Sequence, residues 1–553
     1  MTIPSTIPST FATRNRQLFD RGSRALAGKG IFGALLVFLV LCTANLSAQD
    51  YVDLFNFTGT PGGCCPQYSS VMAQGRDGNM YGITTTGGTS NLGTIFKITP
   101  AGTLTLLHSF DTTHGATPIG GLTLGVDGNL YGTTEFGGTL GFGTIFKITP
   151  AGVLTVLYNF TGTTDGGYPV AALIIGTDGN FYGTSHPGIL FKFTSTGVFT
   201  AVAKIPSESY GPLVQARNGS FYGVTEFAGT NTLGTVFKVT GATSTTLYNF
   251  DGPHGEFPIG GLVEGSDGNL YGTTSAGGSA NDGEIFRITP SGTLTVMVNF
   301  DHVNQLLSGY QTFAGLIAGS DGNLYGATIW GGFYGYGVIF EMTTSGAYTV
   351  LTSFDVNDGD GAYATPVEAT SGSIFGLTSR GGTKLDGVVY RYDGSLPPFA
   401  LLTTSAGLVG STVGILGNGF SSASNVEFNG TPASFHVLSN TYMTATVPSG
   451  ETGYVSVVTS SRTLLSNKIF KATPKMTAFS PTSGKVGDTI TLSGTGFIQT
   501  TSITVGGVKV TSFTVSSDLQ VTIRVPTGAK TGKIVLTTPG GNATGPGTFT
   551  VTH

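Results

Sequence analysis

The sequence predicts an all-β protein: a seven-bladed β-propeller closed by its N-terminal strand, followed by two Ig-like β-sandwich domains. Three observations lead to this prediction. The phrase DGNLYGTTEFGG at residues 127–138 returns along the chain, intact or weakened, at a spacing of roughly 50 residues. Only 10% of the residues are charged while Gly numbers 88, a composition typical of turn-rich β structure. After Pro398 the period changes and a second, longer repeat begins.

Residues 1–48 are predicted to be a secretory signal peptide. Five basic residues precede an apolar run at 31–44, and a small-residue stretch ends just before Gln49. The run is shorter than the roughly 20 residues that a membrane helix needs, so an uncleaved anchor is the less favoured alternative. Lipid attachment at Cys42 is disfavoured because bulky Leu41 precedes it. We therefore expect a secreted, extracellular or cell-surface bacterial protein with no membrane insertion after cleavage.

Charge and cysteine content limit the partners. The net charge is −5 and the basic residues form no stripe, so nucleic acid is not an expected partner. Beyond the signal only the adjacent pair Cys64 and Cys65 remains, and the sequence leaves open whether they are oxidised. One adjacent pair cannot form a disulfide framework, so packing must stabilise the fold. We expect a monomer.

Each repeat is predicted to form one four-stranded blade with strands A to D. In the unit at 120–160, strand A leads into the turn Asp127-Gly128-Asn129, whose Gly and Asn tolerate positive φ. Strand B reads LYGTT, strand C reads GTIFKIT, and strand D reads LTVLYNF with alternating apolar residues. Four strands in roughly 50 residues match the arithmetic of a propeller blade.

The ends of the array predict how the ring closes. Residues 51–57, YVDLFNF, read as an isolated strand D, while the seventh unit supplies A, B and C and then runs into Pro397 without a D. The N-terminal strand should therefore complete the seventh blade and remove the open sheet edge. This places the propeller at residues 49–396.

The topology assigns the loops to two faces. A–B and C–D turns share one face, while B–C and D–A loops share the other, which is the usual binding face of propellers. Calcium ligation by the Asp of the repeated turns is disfavoured, because one carboxylate per blade cannot supply six to eight oxygens around an ion. The Tyr that follows each turn is expected to pack between blades.

The repeated pattern DGNxYGTT…GG…G-x-[IV]-F-[KR]-[IV]-T over about residues 50–394 resembles the GloVer tandem repeat (choice-of-anchor type) of bacterial secreted proteins. The resemblance implies an extracellular location and a repeat architecture, but no reaction. The third unit departs from the pattern, because its B–C loop is cut to residues 185–188.

Two copies of a smaller domain follow the propeller. GLVGSTVGILGNGF at 407–420 matches GKVGDTITLSGTGF at 484–497, which predicts domains at 397–472 and 473–553. Both resemble IPT/TIG Ig-like domains, and the resemblance implies spacers or adhesive stalks.

Two D–A loops carry the best polar constellation, Asp111 with His114 and Asp251 with His254. The alternative is that each Asp caps its own turn while the His stays on the surface. The loop DVNDGDGAY offers Asp355, Asn357, Asp358 and Asp360 to calcium, but its spacing departs from known ligand sets, so a solvated acidic loop is favoured and no cofactor is expected.

The B–C loop of the sixth repeat, IWGGFYGYG, contains the single Trp of the chain. Its aromatic side chains are Trp330, Phe333, Tyr334 and Tyr336, and exposed rings in this loop would suit a sugar ring or a partner protein. The alternative is that the rings bury against the neighbouring blade.

The favoured function is non-enzymatic: a secreted binding or structural protein whose propeller loops recognise a glycan or a cell-surface partner. No catalytic motif or local metal-binding motif is present in the sequence. A carbohydrate-active lyase or hydrolase remains an alternative, with carboxylates such as Glu135, Glu226 or Asp251 converging from different blades. A purely architectural repeat protein is the third possibility.

Overall fold

The computed structural model describes residues 50–59, 63–66, 71–303, 308–394, 396–450 and 452–552. The predicted signal peptide, residues 1–48, lies outside this part of the chain. The described residues are almost entirely β, with a short 3-10 helix at Phe420–Ser422. No helix among them is long and apolar enough to cross a bilayer.

Seven four-stranded antiparallel sheets that resemble propeller blades fill the described residues between 50 and 394. The first six each use four consecutive strands, in the order A, B, C, D: β2 (Ala73–Gln74), β3 (Met80–Thr84), β4 (Thr94–Ile98), β5 (Leu104–Ser109); β6 (Leu122–Leu124), β7 (Leu130–Thr134), β8 (Thr144–Ile148), β9 (Leu154–Asn159); β10 (Ile174–Ile175), β11 (Phe181–Ser185), β12 (Ile189–Phe193), β13 (Phe199–Lys204); β14 (Val214–Gln215), β15 (Phe221–Thr225), β16 (Thr235–Thr240), β17 (Thr243–Asn249); β18 (Leu262–Glu264), β19 (Leu270–Thr274), β20 (Glu284–Ile288), β21 (Leu294–Asn299); β22 (Ile317–Ala318), β23 (Leu324–Ala327), β24 (Val338–Met342), β25 (Tyr348–Ser353).

The seventh sheet joins the two ends of the array. It contains β26 (Val367–Glu368), β27 (Ile374–Leu377) and β28 (Val388–Tyr392), and its fourth strand is β1 (Tyr51–Asn56). β1 pairs with β28 in antiparallel register from Tyr51 opposite Tyr392 to Asn56 opposite Val388. The predicted pairing of the N-terminal strand with the seventh sheet is confirmed.

The repeated Gly of strand B makes room for the repeated Phe of strand C. Gly132 on β7 lies opposite Phe146 on β8, and a Cβ added to Gly132 would lie 2.6 Å from Phe146 Cζ. The ring therefore lies flat across the glycine, and both strands are buried while the outer β9 is half-buried. The same pairing recurs in the fifth sheet, between Gly272 and Phe286.

The hydrophobic core lies between neighbouring sheets. One cluster joins Tyr81 and Ile95 of the first sheet to Leu130 and Phe146 of the second. Because each sheet is apolar on both faces, a sheet is stable only with a neighbour on each side.

The remaining strands form two β-sandwiches, whose names are kept below. The first sandwich contains β29 (Leu401–Leu402), β30 (Ala406–Leu408), β31 (Thr412–Leu416), β32 (Asn425–Phe428), β33 (Thr431–Pro432), β34 (Phe435–Val437), β35 (Tyr442–Thr446), β36 (Val455–Val458), β37 (Thr463–Leu465) and β38 (Lys471–Thr473). The second sandwich contains β39 (Lys475–Ser480), β40 (Ser483–Gly484), β41 (Thr489–Thr495), β42 (Ser502–Val505), β43 (Val508–Lys509), β44 (Phe513–Ser517), β45 (Gln520–Arg524), β46 (Ile534–Thr538), β47 (Gly541–Thr544) and β48 (Thr550–Val551).

Each sandwich has the same topology, which agrees with their sequence repeat. The first has sheets β29-β31-β35-β34 and β33-β32-β36-β37, and the second has β39-β41-β45-β44 and β43-β42-β46-β47. A short parallel pair, β30 with β38 or β40 with β48, completes each one.

The first sandwich packs against the A–B turns of the seven-sheet array, which we call the hairpin face. The guanidinium of Arg76, in the first A–B turn, lies 4.3 Å from the ring centroid of Tyr442. Lys471 Nζ donates a hydrogen bond to the carbonyl of Arg217 in the fourth A–B turn, at 2.9 Å. Asn418 Nδ2 donates to Thr370 Oγ1, before the seventh turn, at 3.1 Å. The contacts therefore reach turns from well-separated sheets.

Candidate functional site

The B–C and D–A loops lie together at the opposite end of the sheets, and we call this end the loop face. In five D–A loops a residue with positive φ donates its backbone N–H to the B–C loop of the preceding sheet, at 2.8 to 3.1 Å. The donor and acceptor pairs are Cys65 with Asp386, Thr117 with Leu92, Tyr168 with Phe142, Phe257 with Leu233, and Gln311 with Asp282. These repeated bonds fix each loop against its neighbour.

The aromatic loop of the sixth sheet divides into exposed and half-buried rings. Phe333 is 74% exposed and Tyr334 is 55% exposed, and their rings meet edge to face with centroids 4.9 Å apart. Trp330 is half-buried and pairs by its backbone with Tyr310, while Tyr336 packs against the core between the sixth and seventh sheets. Two of the four predicted ligand-binding rings are thus available to a partner.

Phe333 also borders a cavity of about 370 Å³. The other lining residues are Ser308, in the D–A loop that leads from the fifth sheet into the sixth, and Tyr348, Val350 and Ser353, on strand D of the sixth sheet. Tyr348 donates its hydroxyl to the backbone carbonyl of Ser308, and the backbone N–H of Phe333 donates to Ser353 Oγ at 3.1 Å. The cavity therefore has an apolar wall and hydroxyl groups at its edge, a combination that suits a sugar ring.

The Asp–His pairs of the D–A loops are local. Asp111 Oδ1 accepts the backbone N–H groups of Thr113 and His114, and His114 Nδ1 lies 2.9 Å from the same carboxylate. Burial alone would raise the pKa of Asp111, but the hydrogen bonds from His114 lower it overall. Asp251 and His254 repeat this geometry between the fourth and fifth sheets, with Nδ1 at 2.9 Å. Each Asp therefore caps its turn, and the structure does not bring the two pairs together.

The predicted calcium loop is held by its own hydrogen bonds. Asp355 Oδ1 accepts the backbone N–H groups of Asn357 and Asp358 at 2.6 and 3.0 Å. Burial raises the pKa of Asp360, although Arg380 opposes the rise. In the part of the chain that the structure describes, the acidic side chains of this loop do not form a group of three ligand atoms within 4.8 Å of one another.

Such a group does occur at Cys64, Cys65 and Asp386. The two cysteines are joined to each other by a disulfide, and Cys64 Sγ lies 3.4 Å from Asp386 Oδ1. Sulfur atoms bound in a disulfide are not thiolates, so the oxidised pair does not supply metal ligands.

The three carboxylates considered for catalysis lie in different surroundings. Burial raises the pKa of Glu135 to about 7. Burial, with a contribution from Glu208, raises the pKa of Glu226 to about 8. Asp251 is exposed and is bound to His254 as described above. The structure does not bring these three together.

Glu226 instead belongs to a group that sequence reasoning missed, formed with Glu208 and His186. His186 Nδ1 lies 3.2 Å from Glu208 Oε2, and Glu208 lies close enough to Glu226 to raise its pKa. We call these three residues the carboxylate cluster. The shortened B–C loop of the third sheet, which contains His186, was the available signal; Glu208 stands in a D–A loop with no motif around it.

Comparisons with solved structures give only distant similarities. A surface glycan-binding protein from Prevotella bryantii is 20% identical, over 26% of this chain and 38% of that one, with a TM-score of 0.21. A fungal alcohol oxidase of the AA5 family, in complex with copper, is 12% identical over 76% and 98% of the two chains, with a TM-score of 0.42. A gluconolactonase from Xanthomonas campestris is 11% identical over 61% and 98%, with a TM-score of 0.34. This chain spans well under two thirds of the Prevotella protein, and similarities at this level carry no argument about activity or ligand.

No curated protein sequence is significantly similar to this chain. Family models, in contrast, match most of it. The Gloeobacter/Verrucomicrobia repeat matches residues 40–189 and 184–328, and the IPT/TIG domain matches residues 401–471 and 474–551. The resemblances found from the sequence motifs are thereby confirmed: the chain belongs to the Gloeobacter/Verrucomicrobia repeat family and carries two C-terminal IPT/TIG domains.

Proposed function

We propose that this chain is a secreted or cell-surface bacterial protein that binds a glycan through the loop face of a closed seven-bladed propeller, without catalysing a reaction. A cell-surface protein is the alternative partner. The observation that carries the proposal is the exposed pair Phe333 and Tyr334 beside the cavity of the sixth sheet. The propeller would occupy residues 49–396, with the Ig-like domains at 397–472 and 473–553.

Closure of the ring is supported by contacts between the seventh and first sheets. Phe375 and Val389 of the seventh sheet share a hydrophobic cluster with Met80 and Phe96 of the first. Gln74 adds two hydrogen bonds to Thr370, at 2.9 and 3.1 Å. In a closed ring the first and last sheets pack against each other, so neither leaves an apolar face exposed.

The choice of the loop face is supported by the position of the first sandwich. Arg76, Arg217 and Thr370 on the hairpin face contact Tyr442, Lys471 and Asn418. That face is occupied within the chain itself. A large ligand therefore has freer access to the loop face, where the exposed rings lie.

A glycan suits the rings because a sugar presents C–H groups on its flat faces and hydroxyls at its edges. Phe333 supplies an apolar face, Tyr334 adds a phenol, and Ser353 supplies a hydroxyl beneath them. Exposed aromatic rings that are paired with each other lose little side-chain entropy on binding.

The test is binding of the mature chain, residues 49–553, to neutral polysaccharides and cell-wall fractions, measured by affinity electrophoresis and calorimetry. Phe333→Ala with Tyr334→Ala should weaken binding about tenfold or more. Leu140→Ala is the matched control, since this exposed residue lies in the B–C loop of the second sheet. Binding only to a cell-surface protein would favour the alternative partner, and no binding to any of these probes would contradict the proposal.

The carboxylate cluster favours a second candidate function, a carbohydrate-active enzyme. Glu226 has its pKa raised to about 8, whereas that of Glu208 is lowered, because its hydrogen bonds with Ser207 and His186 outweigh the effect of burial. A protonated acid beside an ionised carboxylate is the combination that glycoside hydrolysis needs. Release of reducing ends that disappears in Glu226→Gln would establish this candidate in place of the first.

A further inference from the structure

A buried carboxyl without a partner lies on the loop face. Glu226 directly follows β15 and is 7% exposed, and its Oε2 is buried and accepts no hydrogen bond. An ionised carboxylate in this position is costly unless a cation or several donors compensate it. Among the described residues, no cationic side chain lowers the pKa of Glu226. Burial raises this pKa, and the neighbouring Glu208 raises it further.

Glu208 supplies a negative charge near Glu226 and thereby raises the pKa of Glu226 further. It comes from the D–A loop between the third and fourth sheets and accepts a hydrogen bond from Ser207 Oγ at 2.7 Å. The side chain of Glu208 is 24% exposed, and that of its partner His186 is 52% exposed. The cluster therefore runs from a buried carboxyl to solvent.

The B–C loop of the third sheet is short, so no long loop covers this part of the loop face. Ser185 ends β11 and Ile189 begins β12, so His186, Pro187 and Gly188 are the whole connection. In the second sheet the corresponding loop runs from residue 135 to residue 143. The short connection explains why His186 and Glu208 retain access to solvent.

An aromatic ring lies next to the cluster: the ring centroid of Tyr168 is 6.3 Å from that of His186. Phe227 follows Glu226 in the chain, is 42% exposed, and its ring centroid lies 5.5 Å from that of Phe257. An aromatic face near carboxyl groups favours an organic cation, because both kinds of group attract an ammonium ion.

The geometry also distinguishes an ammonium ion from a metal ion. A divalent cation needs several ligand atoms close together. Among the described residues, a group of three or more such atoms within 4.8 Å of one another is found at Cys64, Cys65 and Asp386 rather than at the carboxylate cluster. Two carboxylates can instead share the three N–H donors of one primary ammonium group.

We propose that the carboxylate cluster binds the protonated primary amine of an amino sugar, with Glu208 as the anionic partner, Glu226 as a second carboxyl that releases its proton to solvent when the amine binds, and Tyr168 as a neighbouring aromatic wall. The inference rests on the proposed glycan-binding function and names the ligand class: a glycan that carries free amino groups, such as de-acetylated chitin or cell-wall glycan. His186 holds Glu208 in position by its hydrogen bond.

The test compares two trisaccharides on the mature chain by calorimetry at pH 7: tri-glucosamine, and its fully N-acetylated form. The free amine should bind about tenfold more tightly or better, since acetylation removes the charge. Glu226→Gln and Glu208→Gln should each remove most of this preference. Glu427→Gln removes a carboxylate of the first sandwich and serves as the control; it should leave the preference unchanged.

The outcomes separate this inference from the proposed function. Neutral glycan binding without any preference for the amine would overturn the inference alone. Failure of every glycan to bind would remove both. Binding of calcium chloride that Glu226→Gln abolishes would assign the cluster to a metal ion, and release of reducing ends that the same change abolishes would assign it to catalysis; either result overturns the inference. If Glu226→Gln does not fold, as judged by circular dichroism, the more exposed Glu208 decides the question through its own variant.

Discussion

The hydroxyl of Tyr131 donates a hydrogen bond to the Asp127 carboxylate at 2.9 Å, which links strand B of the second sheet to the turn that precedes it. Asp127 also accepts the backbone N–H and the side-chain amide of Asn129, at 3.1 and 2.6 Å. One carboxylate thus holds both the turn and the buried ring. The same Tyr-to-Asp bond occurs at 2.8 to 2.9 Å in four further sheets: Tyr81 with Asp77, Tyr182 with Asp178, Tyr271 with Asp267, and Tyr325 with Asp321.

We predict that Tyr131→Phe lowers the free energy of unfolding by about 1 kcal/mol. The ring stays, but the hydroxyl and its bond to Asp127 are lost. The seventh sheet already has Phe375 at this position, so the fold accepts the ring without its hydroxyl. Urea unfolding measures the change, and Tyr334→Phe at an exposed site is the control. Equal stabilities of the two variants would show that the hydroxyl contributes nothing.

Gly132→Ala should lower the free energy of unfolding by about 1 to 3 kcal/mol. The added Cβ would meet Phe146 Cζ at 2.6 Å and the Gly121 carbonyl oxygen at 2.9 Å, and neither the strand nor the packed ring can move freely. Phe146→Leu removes the ring edge, so Gly132→Ala should cost less in that background. A double-mutant cycle by urea unfolding measures the coupling, and strictly additive effects would contradict the steric explanation.

Arg76→Ala together with Lys471→Ala should loosen the first sandwich from the hairpin face. The change removes the cation–π contact with Tyr442 and the hydrogen bond to the Arg217 carbonyl. Amide hydrogen exchange should become faster in residues 75–79 and 217–219, measured by mass spectrometry of the mature chain. Arg524→Ala, in the second sandwich, is the control. Unchanged exchange in the double variant would show that other contacts hold the interface.

The sequence predicted the repeated sheets because the chemistry that specifies them is local. The turn at 127–129, the alternation along strand D and the unpaired strand at 51–57 all follow from neighbouring residues. The pairing of the N-terminal strand with the seventh sheet could be predicted only because the missing strand was counted, and the register of Tyr51 opposite Tyr392 came from the structure. The role of Tyr131 as a donor to its own turn was missed, because the ring alone suggested packing.

The candidate site was predicted less completely, since it depends on which loops meet. Phe333 and Tyr334 were identified from their unusual loop, but the sequence did not show that Trp330 is half-buried and forms a backbone bridge with Tyr310 in another loop. Glu208 and Glu226 come from separate connections without a shared motif, and only the fold places Glu208 near enough to raise the pKa of Glu226.

Glu284 occupies a site where other sheets carry a hydrogen-bonded threonine, and this difference predicts a stabilising substitution. Thr94, Thr144 and Thr235, which begin strand C in the first, second and fourth sheets, each pair with a Thr of strand B at 2.7 to 2.9 Å. Glu284 is fully buried instead, and both of its carboxyl oxygens lack a hydrogen-bond partner. Burial raises its pKa from 4.5 to about 7; His254 opposes the rise and Asp251 adds to it.

Because the pKa of Glu284 is higher in the folded chain, the unfolded chain loses this proton first as pH rises. The favourable contribution of the neutral carboxyl is complete below about pH 4.5 and is lost as pH rises through about 7. At pH 8.5 the loss is on the order of 3 kcal/mol. Glu284→Thr should therefore stabilise the protein at pH 8.5 more than at pH 5, measured by urea unfolding at both values. Glu284→Gln, which keeps the shape but cannot ionise, should remove the same pH dependence. A stability difference from the wild type that is the same at pH 5 and pH 8.5 would show that Glu284 does not titrate in this range.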